Sequence, residues 1–239
     1  PLNAPIQGGS QGTGDRHMGN GEVFFRPLDN PPAMRHQVFH APNIKGFGLL
    51  QRERSFAAYQ DMFNLYHKVP SVWVETDGNW GDGDLHLLEL STTYEGLDNV
   101  VAFWDPKYKP APLEPFRFAY TLHWEGEKAD LKRSPDRVVA TRVGAETQFG
   151  AREFVLDFDG PKFDAIPESK PPTPVASCSG GAHIADNYVV RNPYLGTWRV
   201  YLKMVPPAGN KDAIDLRCTL QSGTNVIGET WVYQWSPPS

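Results

Sequence analysis

Residues 116 to 124 carry a large apolar side chain at every second position, which is the period of a β-strand with one apolar face. These side chains are Phe116, Phe118, Tyr120, Leu122 and Trp124. Similar short runs recur along the chain, separated by turn-forming residues drawn from its 22 glycines and 22 prolines. The sequence therefore predicts an all-β fold built from many short strands.

One segment departs from this pattern. Residues 55 to 67 read SFAAYQDMFNLYH, with aromatic side chains at Phe56, Tyr59, Phe63 and Tyr66. That spacing suits a short helix or helical turn with Ser55 as its N-cap. An irregular aromatic loop fits the same residues.

The chain divides into three regions by composition. Residues 1–21 are rich in glycine and predict a flexible lead-in. A polar stretch at residues 126–136 predicts a boundary between domains at 22–133 and 134–239. The last region holds seven short strand-like runs in about a hundred residues, the strand count of an immunoglobulin-like β-sandwich. We expect Trp198 and Trp231 to lie in its core.

Charge and composition exclude several classes of function. The net charge of −5 and the absence of a basic stripe argue against a nucleic-acid partner. No run of eighteen apolar residues exists, so no transmembrane helix is predicted. The sequence starts at Pro1 without a signal-peptide pattern, which predicts a processed protein or a fragment.

The two cysteines leave two interpretations open. Cys178 and Cys218 lie in strand-like segments, without the spacing of a zinc site or of a CxxC motif. They form either a disulfide in an oxidising compartment or two buried thiols. No metal site is predicted.

The first half concentrates polar and aromatic residues suited to a sugar polymer. Trp and Tyr stack on the apolar faces of sugars, whereas carboxylate, amide and guanidinium groups bind their hydroxyls. A salt-bridged, solvated sheet face is the alternative interpretation. The residues concerned are Gln51, Arg52, Arg54, Tyr59, Gln60, Asp61, Trp73, Glu75, Trp80, Glu89, Glu95, Asp98 and Trp104.

Asp98 begins the strand-like run DNVVAFW and is therefore expected at the rim of a sheet. Burial and neighbouring charges can tune the protonation of a carboxyl group in such a place. Alternatively, Asp98 is a turn residue that caps its own loop. The zincin, GxSxG, P-loop and GxGxxG signatures are all missing, and no cofactor is predicted.

Several segments, in order, resemble the periplasmic glucan biosynthesis family known as MdoG/OpgG and OpgD. They are GEVFFRPLDNP, GFGLLQRERSFAAYQD, PSVWVE, GNWGDGDLHLLEL, LDNVVAFWDP and the closing GETWVYQW. The first is similar to the family's GEW-x-WRPL-x-NP segment, with Val23 in place of the usual Trp. The resemblance runs from about Gly21 to the end and covers the C-terminal half of the family's chain.

The resemblance implies a periplasmic protein that makes osmoregulated glucans with a β-1,2-linked glucose backbone. It implies part of a large β-sandwich, similar to galactose mutarotase, followed by the immunoglobulin-like β-sandwich. Some family members are inverting β-1,2-glucanases whose general acid is the Asp of the DN-[IV]-V motif, which here is Asp98. The side chains expected to bind the glucan are Arg52, Tyr59, Trp73, Glu75, Trp80 and Glu95.

The sequence also departs from the family pattern. Members are about twice as long, and their HDSDGL-like segment with the partner carboxylate is replaced here by GGSQGTGDR, with Asp15 out of register. An inverting hydrolase needs both an acid and a base. Two interpretations follow: a glucan-cleaving enzyme, or a non-catalytic glucan-binding or scaffold protein that assists a membrane glucan synthase. An incomplete sandwich also exposes strand edges, which favours a homodimer.

Overall fold

A computed structural model of the chain describes residues 6–14, 17–94, 96–128, 132, 134–144 and 150–237, with side chains from residue 22 onward. Strands dominate these residues, so the predicted all-β fold class is confirmed. The strands are β1 Ile6–Gly14, β2 His17–Pro27, β3 Arg35–His40, β4 Gly46–Gln51, β5 Ser71–Asp77, β6 Gly83–Glu89, β7 Val100–Pro106, β8 Ala119–Glu125, β9 Arg137–Val143, β10 Arg152–Asp159, β11 Thr173–Cys178, β12 His183–Arg191, β13 Trp198–Val205, β14 Ile214–Ser222 and β15 Asn225–Trp235.

The chain folds into two compact units, Pro1–Arg133 and Ser134–Ser239. In the first unit, five strands form a sheet in the order β2-β1-β4-β5-β8. Strands β3, β6 and β7 form a second group in which β6 lies between the other two, and β3 also pairs with β2. Neighbouring strands are antiparallel except for the single pairing of β2 with β3.

The core of the first unit is aromatic and aliphatic. Trp73 is buried because two glycines of the neighbouring strand leave room for its indole ring. A Cβ added at Gly46 would lie 2.6 Å from this ring, and one added at Gly48 would lie 2.2 Å from the Val72 carbonyl oxygen. The buried side chains around it include Phe24, Phe25, Phe47, Leu50, Leu85, Leu87 and Trp104.

Two local predictions can be compared with the structure. Ser55 caps the one-turn helix α1, Phe56–Tyr59, because its hydroxyl accepts a hydrogen bond from the Ala57 N–H. An irregular segment and a 3-10 turn at Tyr66–Lys68 follow, so this region combines a helical turn with a loop. Residues 6–14 pair with residues 17–27 as antiparallel strands, although the glycine-rich sequence of residues 1–21 predicts a flexible lead-in. Backbone hydrogen bonds between strands do not require large side chains.

The alternating segment before residue 125 forms an edge of the first sheet, where β8 pairs with β5. Its five apolar side chains occupy alternate positions, as predicted, but all are exposed, from 40% for Phe116 to 66% for Trp124. Alternation therefore identified the strand correctly, whereas it did not identify a buried face.

The second unit contains two sheets, with strand orders β11-β14-β15 and β12-β13-β10-β9. These are the seven strands that the sequence predicts after residue 134. Trp198 and Trp231 are fully buried, as expected, and the Phe154 and Trp231 rings lie 5.7 Å apart. A second short helix, α2, spans Pro161–Asp164, and the Trp198 indole N–H donates to the Phe163 carbonyl.

Both cysteines are free thiols in the structure. Cys218 faces Ala176 and Cys178 faces Leu216, so the two cysteines are diagonal neighbours on adjacent strands. Cβ atoms at diagonal positions lie about 7 Å apart, whereas a disulfide requires roughly 4 Å. Of the two interpretations left open by the sequence, the structure agrees with free thiols, of which Cys218 is buried whereas Cys178 is only half-buried. Burial raises the pKa of Cys218 to about 12.

Asp157 is a buried carboxylate at the centre of an ion network in the second unit. Its carboxylate accepts two hydrogen bonds from Arg199, at 2.8 and 2.9 Å, and one from Arg142 at 2.7 Å. Thr197 donates a further bond at 3.2 Å. Burial alone would raise the pKa of Asp157, but the bonds and charges of the two arginines outweigh it and hold the pKa below its ordinary value.

This network predicts a pH-dependent stability. Because the folded pKa of Asp157 lies below the unfolded value of about 4, its contribution is complete above pH 4 and is lost as the pH falls through the folded pKa. We expect Asp157→Asn to lower the free energy of unfolding by about 2–3 kcal/mol at pH 7. Urea titrations should show this difference narrowing below about pH 4. A difference that stays constant down to pH 3 would contradict this role.

In the part of the chain that the structure describes, no helix is long and apolar enough to cross a membrane.

Candidate functional site

Asp98 lies on the loop that joins β6 to β7. We call residues 90–99 the Asp98 loop. The loop closes through the Leu90 N–H, which donates to the Asn99 carbonyl at 2.7 Å, and the Asn99 side chain donates back to the Leu90 carbonyl. Asp98 is exposed, and among the described residues no hydrogen bond or ion pair engages its carboxylate. The carboxylate is therefore open to a ligand.

A second contact attaches the Asp98 loop to the segment after β2. The Asn30 side-chain N–H donates to the Thr92 carbonyl at 2.7 Å, and the Asn30 side-chain oxygen accepts from the Thr92 N–H at 3.2 Å. Within the loop, the Thr92 hydroxyl bonds to both backbone groups of Tyr94. The first half of the loop is thus held by the side chains of Asn30 and Thr92.

Beneath the loop lies a buried group of charges, the Arg26–Glu89–Arg35 cluster. Glu89 is 1% exposed, and its Oε2 lies 2.7 Å from Arg26 and 3.2 Å from Arg35. The other carboxylate oxygen, Oε1, accepts from the Asp29 N–H at 2.8 Å. Arg35 also pairs with the Asp29 carboxylate at 3.2 Å. Glu89 therefore holds the end of β6 in place. The sequence predicted that Glu89 could bind a sugar, but its carboxylate is buried and engaged by protein groups.

Arg52 and Tyr59 follow the end of β4. The Arg52 guanidinium lies over the Phe25 ring, 4.2 Å from its centroid. The Tyr59 hydroxyl donates to the Glu53 carbonyl at 2.9 Å and accepts from the Gln51 side chain. Burial raises the pKa of Tyr59, although the hydrogen bond from Gln51 acts in the opposite direction. The Tyr59 hydroxyl therefore stays protonated, with its one proton engaged by the Glu53 carbonyl and one oxygen lone pair left to accept a hydrogen bond.

Trp73 and Glu75 lie on β5. Trp73 is 6% exposed and packs on β4, so it is a core residue and cannot stack on a sugar in this structure. This corrects its predicted role; glycines at 46 and 48 were the sequence signal that its ring would be buried. Glu75 is exposed and lies 2.7 Å from His123, whose other ring nitrogen lies 3.5 Å from Glu125. Glu95 lies outside the described residues.

Trp80 belongs to an aromatic group at the far end of β5. Its ring lies 5.2 Å from Trp104, 5.1 Å from Phe118 and 6.2 Å from Tyr120. Its indole N–H donates to the Ala119 carbonyl at 3.0 Å. We call this group the Trp80 cluster.

The register shows which of these residues share an end of the first unit. Gln7 pairs with Pro27 on one side and Leu50 on the other, so β2 and β4 end side by side. The Arg26–Glu89 ion pair brings the end of β6 to the same place. The Asp98 loop, Arg52 and Tyr59 therefore lie at one end.

The Trp80 cluster lies at the opposite end. Trp80 follows the last residue of β5, whereas the hydroxyl of its first residue, Ser71, accepts from the Gln51 N–H. A strand of this length spans about 20 Å. The predicted binding residues therefore do not form one cluster: Asp98, Arg52 and Tyr59 share one end of the first unit and make up the candidate site, whereas Trp80 is remote from them.

Three residues that support the candidate site were not predicted from the chemistry of their side chains: Asn30, Asp29 and Arg26. They lie in the RPLDNP segment, which entered the sequence analysis only through its resemblance to a family motif. Their long-range contacts could not be foreseen from a local pattern. Among the described residues, no group of three or more His, Cys, Asp and Glu side chains could hold a metal ion.

Comparisons with known proteins match the same region of the chain that carries the family motifs. Residues 15–235 match the family model described as "Periplasmic glucan biosynthesis protein, MdoG". The chain is 36% identical over 227 residues to the "Probable glucans biosynthesis protein D" of Shewanella oneidensis, covering 93% of this chain and 42% of that protein.

Two further relatives give the same picture. The "Glucans biosynthesis protein G" of Pseudomonas aeruginosa is 37% identical over 229 residues, which cover 91% of this chain and 43% of that protein. The "Glucans biosynthesis protein D 1" of Ralstonia nicotianae is 41% identical over 227 residues, covering 92% and 42%. The chain thus spans about two-fifths of the length of the curated relatives that it matches. It belongs to the MdoG family of periplasmic glucan biosynthesis proteins.

Proposed function

We propose that this chain takes part in periplasmic glucan biosynthesis by binding a β-1,2-linked glucan at the end of the first unit that carries Asp98. The observation that carries the proposal is the exposed Asp98 carboxylate on a tethered loop, in a chain matched by the MdoG family over residues 15–235. From the same end, the Arg52 guanidinium would donate hydrogen bonds to glucan hydroxyls, and the Tyr59 hydroxyl oxygen would accept one. The periplasm is the proposed location.

In the catalytic form of the proposal, Asp98 is the general acid of an inverting hydrolysis. It would donate its proton to the glycosidic oxygen as the bond from that oxygen to the anomeric carbon breaks. A second carboxylate would take a proton from the water that attacks the opposite face of the sugar. Protons are conserved in this step, because the acid loses one proton and the base gains one.

A non-catalytic form is the second candidate. The carboxylates that the structure describes near the Asp98 loop are already engaged: Glu89 binds two arginines, and Asp29 pairs with Arg35. A base is therefore not assigned, and Asp15, which lies closest in sequence to the family's base segment, is outside the described residues. In this form the chain is a glucan-binding protein that presents the polymer to a membrane glucan synthase. The immunoglobulin-like unit is the proposed docking module for such a partner.

Calorimetry and a reducing-end assay together test the proposal. We expect linear β-1,2-glucan to bind, and a β-1,3-glucan of similar length to bind at least about tenfold more weakly, because the hydroxyls available to Arg52 and Tyr59 differ. New reducing ends support the enzyme, whereas binding without new ends supports the scaffold. Equal affinity for the two glucans, or no binding of either, rejects the proposed substrate.

The affinity should depend on Tyr59. Tyr59→Phe removes only the hydroxyl, whereas Tyr120→Phe makes the same change in the remote Trp80 cluster. We expect weaker binding of β-1,2-glucan by about five- to tenfold for the first variant and unchanged binding for the second.

A further inference from the structure

Asn30 differs from two other turn asparagines, Asn79 and Asn210, in where its side chain binds. The Asn79 side chain accepts from Gly81, and the Asn210 side chain donates to Asp212, each only two residues away. These are local turn contacts. Asn30 instead reaches Thr92, which is 62 residues away. Its side chain is therefore not needed to shape its own turn.

The contact between Asn30 and Thr92 fixes an orientation as well as a distance. One side-chain amide engages both the carbonyl and the N–H of the same residue, at 2.7 and 3.2 Å. Two bonds from one planar group resist rotation of the Thr92 backbone, which a single bond does not. The Asp98 loop is thus held at its start by Asn30 and at its end by the Leu90–Asn99 closure.

Asn30 is itself held by the buried cluster below it. Its N–H donates to the Asp29 carboxylate at 2.9 Å. Asp29 in turn bonds to Glu89 through its own N–H and pairs with Arg35 through its carboxylate. A continuous series of hydrogen bonds and ion pairs therefore connects the buried Arg26–Glu89–Arg35 cluster to the exposed loop that carries Asp98.

We infer that Asn30 is the positioning residue for Asp98, in that it holds the Asp98 loop where the carboxylate meets the scissile bond. This inference rests on the proposed function of Asp98. Asn30 does not touch the reacting atoms; it acts through Thr92 and the loop backbone. A displacement of about 1 Å at a reacting group can lower a rate by about a hundredfold.

The test compares Asn30→Ala with Asn79→Ala, which removes a side chain of the same type from a remote turn. In the free protein, hydrogen exchange of the amides in residues 90–99 should accelerate by about tenfold or more in Asn30→Ala only. On linear β-1,2-glucan, kcat should fall by about 10- to 100-fold with KM within about twofold. A purely structural role would lower the folded fraction and leave kcat per folded molecule unchanged.

Asn30→Asp provides a second variant that keeps the volume of the side chain. It can still accept from the Thr92 N–H, but it cannot donate to the Thr92 carbonyl when ionised. Its exchange rate and kcat should lie between those of the wild type and of Asn30→Ala. Unchanged loop exchange in both variants, or faster exchange with unchanged kcat, overturns the inference.

Asp98→Asn separates this inference from the proposal on which it rests. If Asp98→Asn loses turnover while Asn30→Ala keeps it, the acid assignment stands and the inference fails. If Asp98→Asn turns over as fast as the wild type, or if the wild-type chain has no turnover, the acid assignment fails and the inference falls with it.

Discussion

Replacing Glu89 with alanine should lower the free energy of unfolding by about 3–5 kcal/mol, because it leaves two buried guanidinium groups without the carboxylate between them. Arg26 and Arg35 are 3% and 9% exposed, and both pair with the same carboxylate oxygen. The Asp29 N–H loses its acceptor as well. Since the free energy of unfolding of a small domain is about 5–15 kcal/mol, this single change can remove a large part of the stability of the first unit. Urea unfolding followed by tryptophan fluorescence measures the effect.

A matched control distinguishes the effect of breaking a buried ion pair from the effect of breaking any ion pair. Asp105 pairs with Lys109, but both groups are largely exposed. Asp105→Ala should change the free energy of unfolding by less than about 1 kcal/mol, since exposed ion pairs contribute little. The double variant Arg26→Met, Glu89→Leu should recover part of the stability lost in Glu89→Ala, because it removes buried charges. Similar losses for Glu89→Ala and Asp105→Ala would show that the cluster contributes no more than an exposed pair.

Replacing Asp98 with asparagine should lower glucan cleavage by about 10²- to 10⁴-fold, the usual contribution of a general acid. The side chain keeps its shape but has no proton of suitable acidity to give to the leaving oxygen. Asp98 is exposed, so the variant should unfold within about 0.5 kcal/mol of the wild type. Affinity for linear β-1,2-glucan should change little, since the amide still forms hydrogen bonds.

Asp105→Asn is the control for this prediction also. It lies near the end of β7 away from Asp98, and it changes one carboxylate to an amide in the same way. Its cleavage rate should match the wild type. Equal losses in Asp98→Asn and Asp105→Asn would indicate a general effect of charge rather than proton donation by Asp98.

Much of the fold could be predicted from local patterns. The seven strands after residue 134 follow alternating runs bounded by turn residues, and the Ser55 cap follows from its side chain and position. Burial was harder to predict. The exposed side chains of β8 and the buried Trp73 are of the same strand-forming types, and only the neighbouring strands determine which of them is covered. For Trp73, the neighbouring residues that make burial possible are Gly46 and Gly48.

The site could be predicted only in part for a similar reason. Sequence proximity placed Trp80 with Arg52 and Tyr59, although the length of β5 separates them by about 20 Å. Conversely, Asn30 and Thr92 are far apart in sequence but in contact. Pairing register and long-range hydrogen bonds determine these distances, and neither is encoded in a short motif. The Glu89 role was missed because a buried carboxylate looks like an exposed one in sequence.

Hydrogen-exchange footprinting of the chain with linear β-1,2-glucan tests the central claim most directly, because the two ends of the first unit are resolved as separate peptides. The account predicts slower exchange on glucan binding in residues 90–99 and 52–60, with no change in residues 78–82 and 116–120. Protection confined to residues 78–82 and 116–120 would place the glucan on the Trp80 cluster and would contradict a site at Asp98.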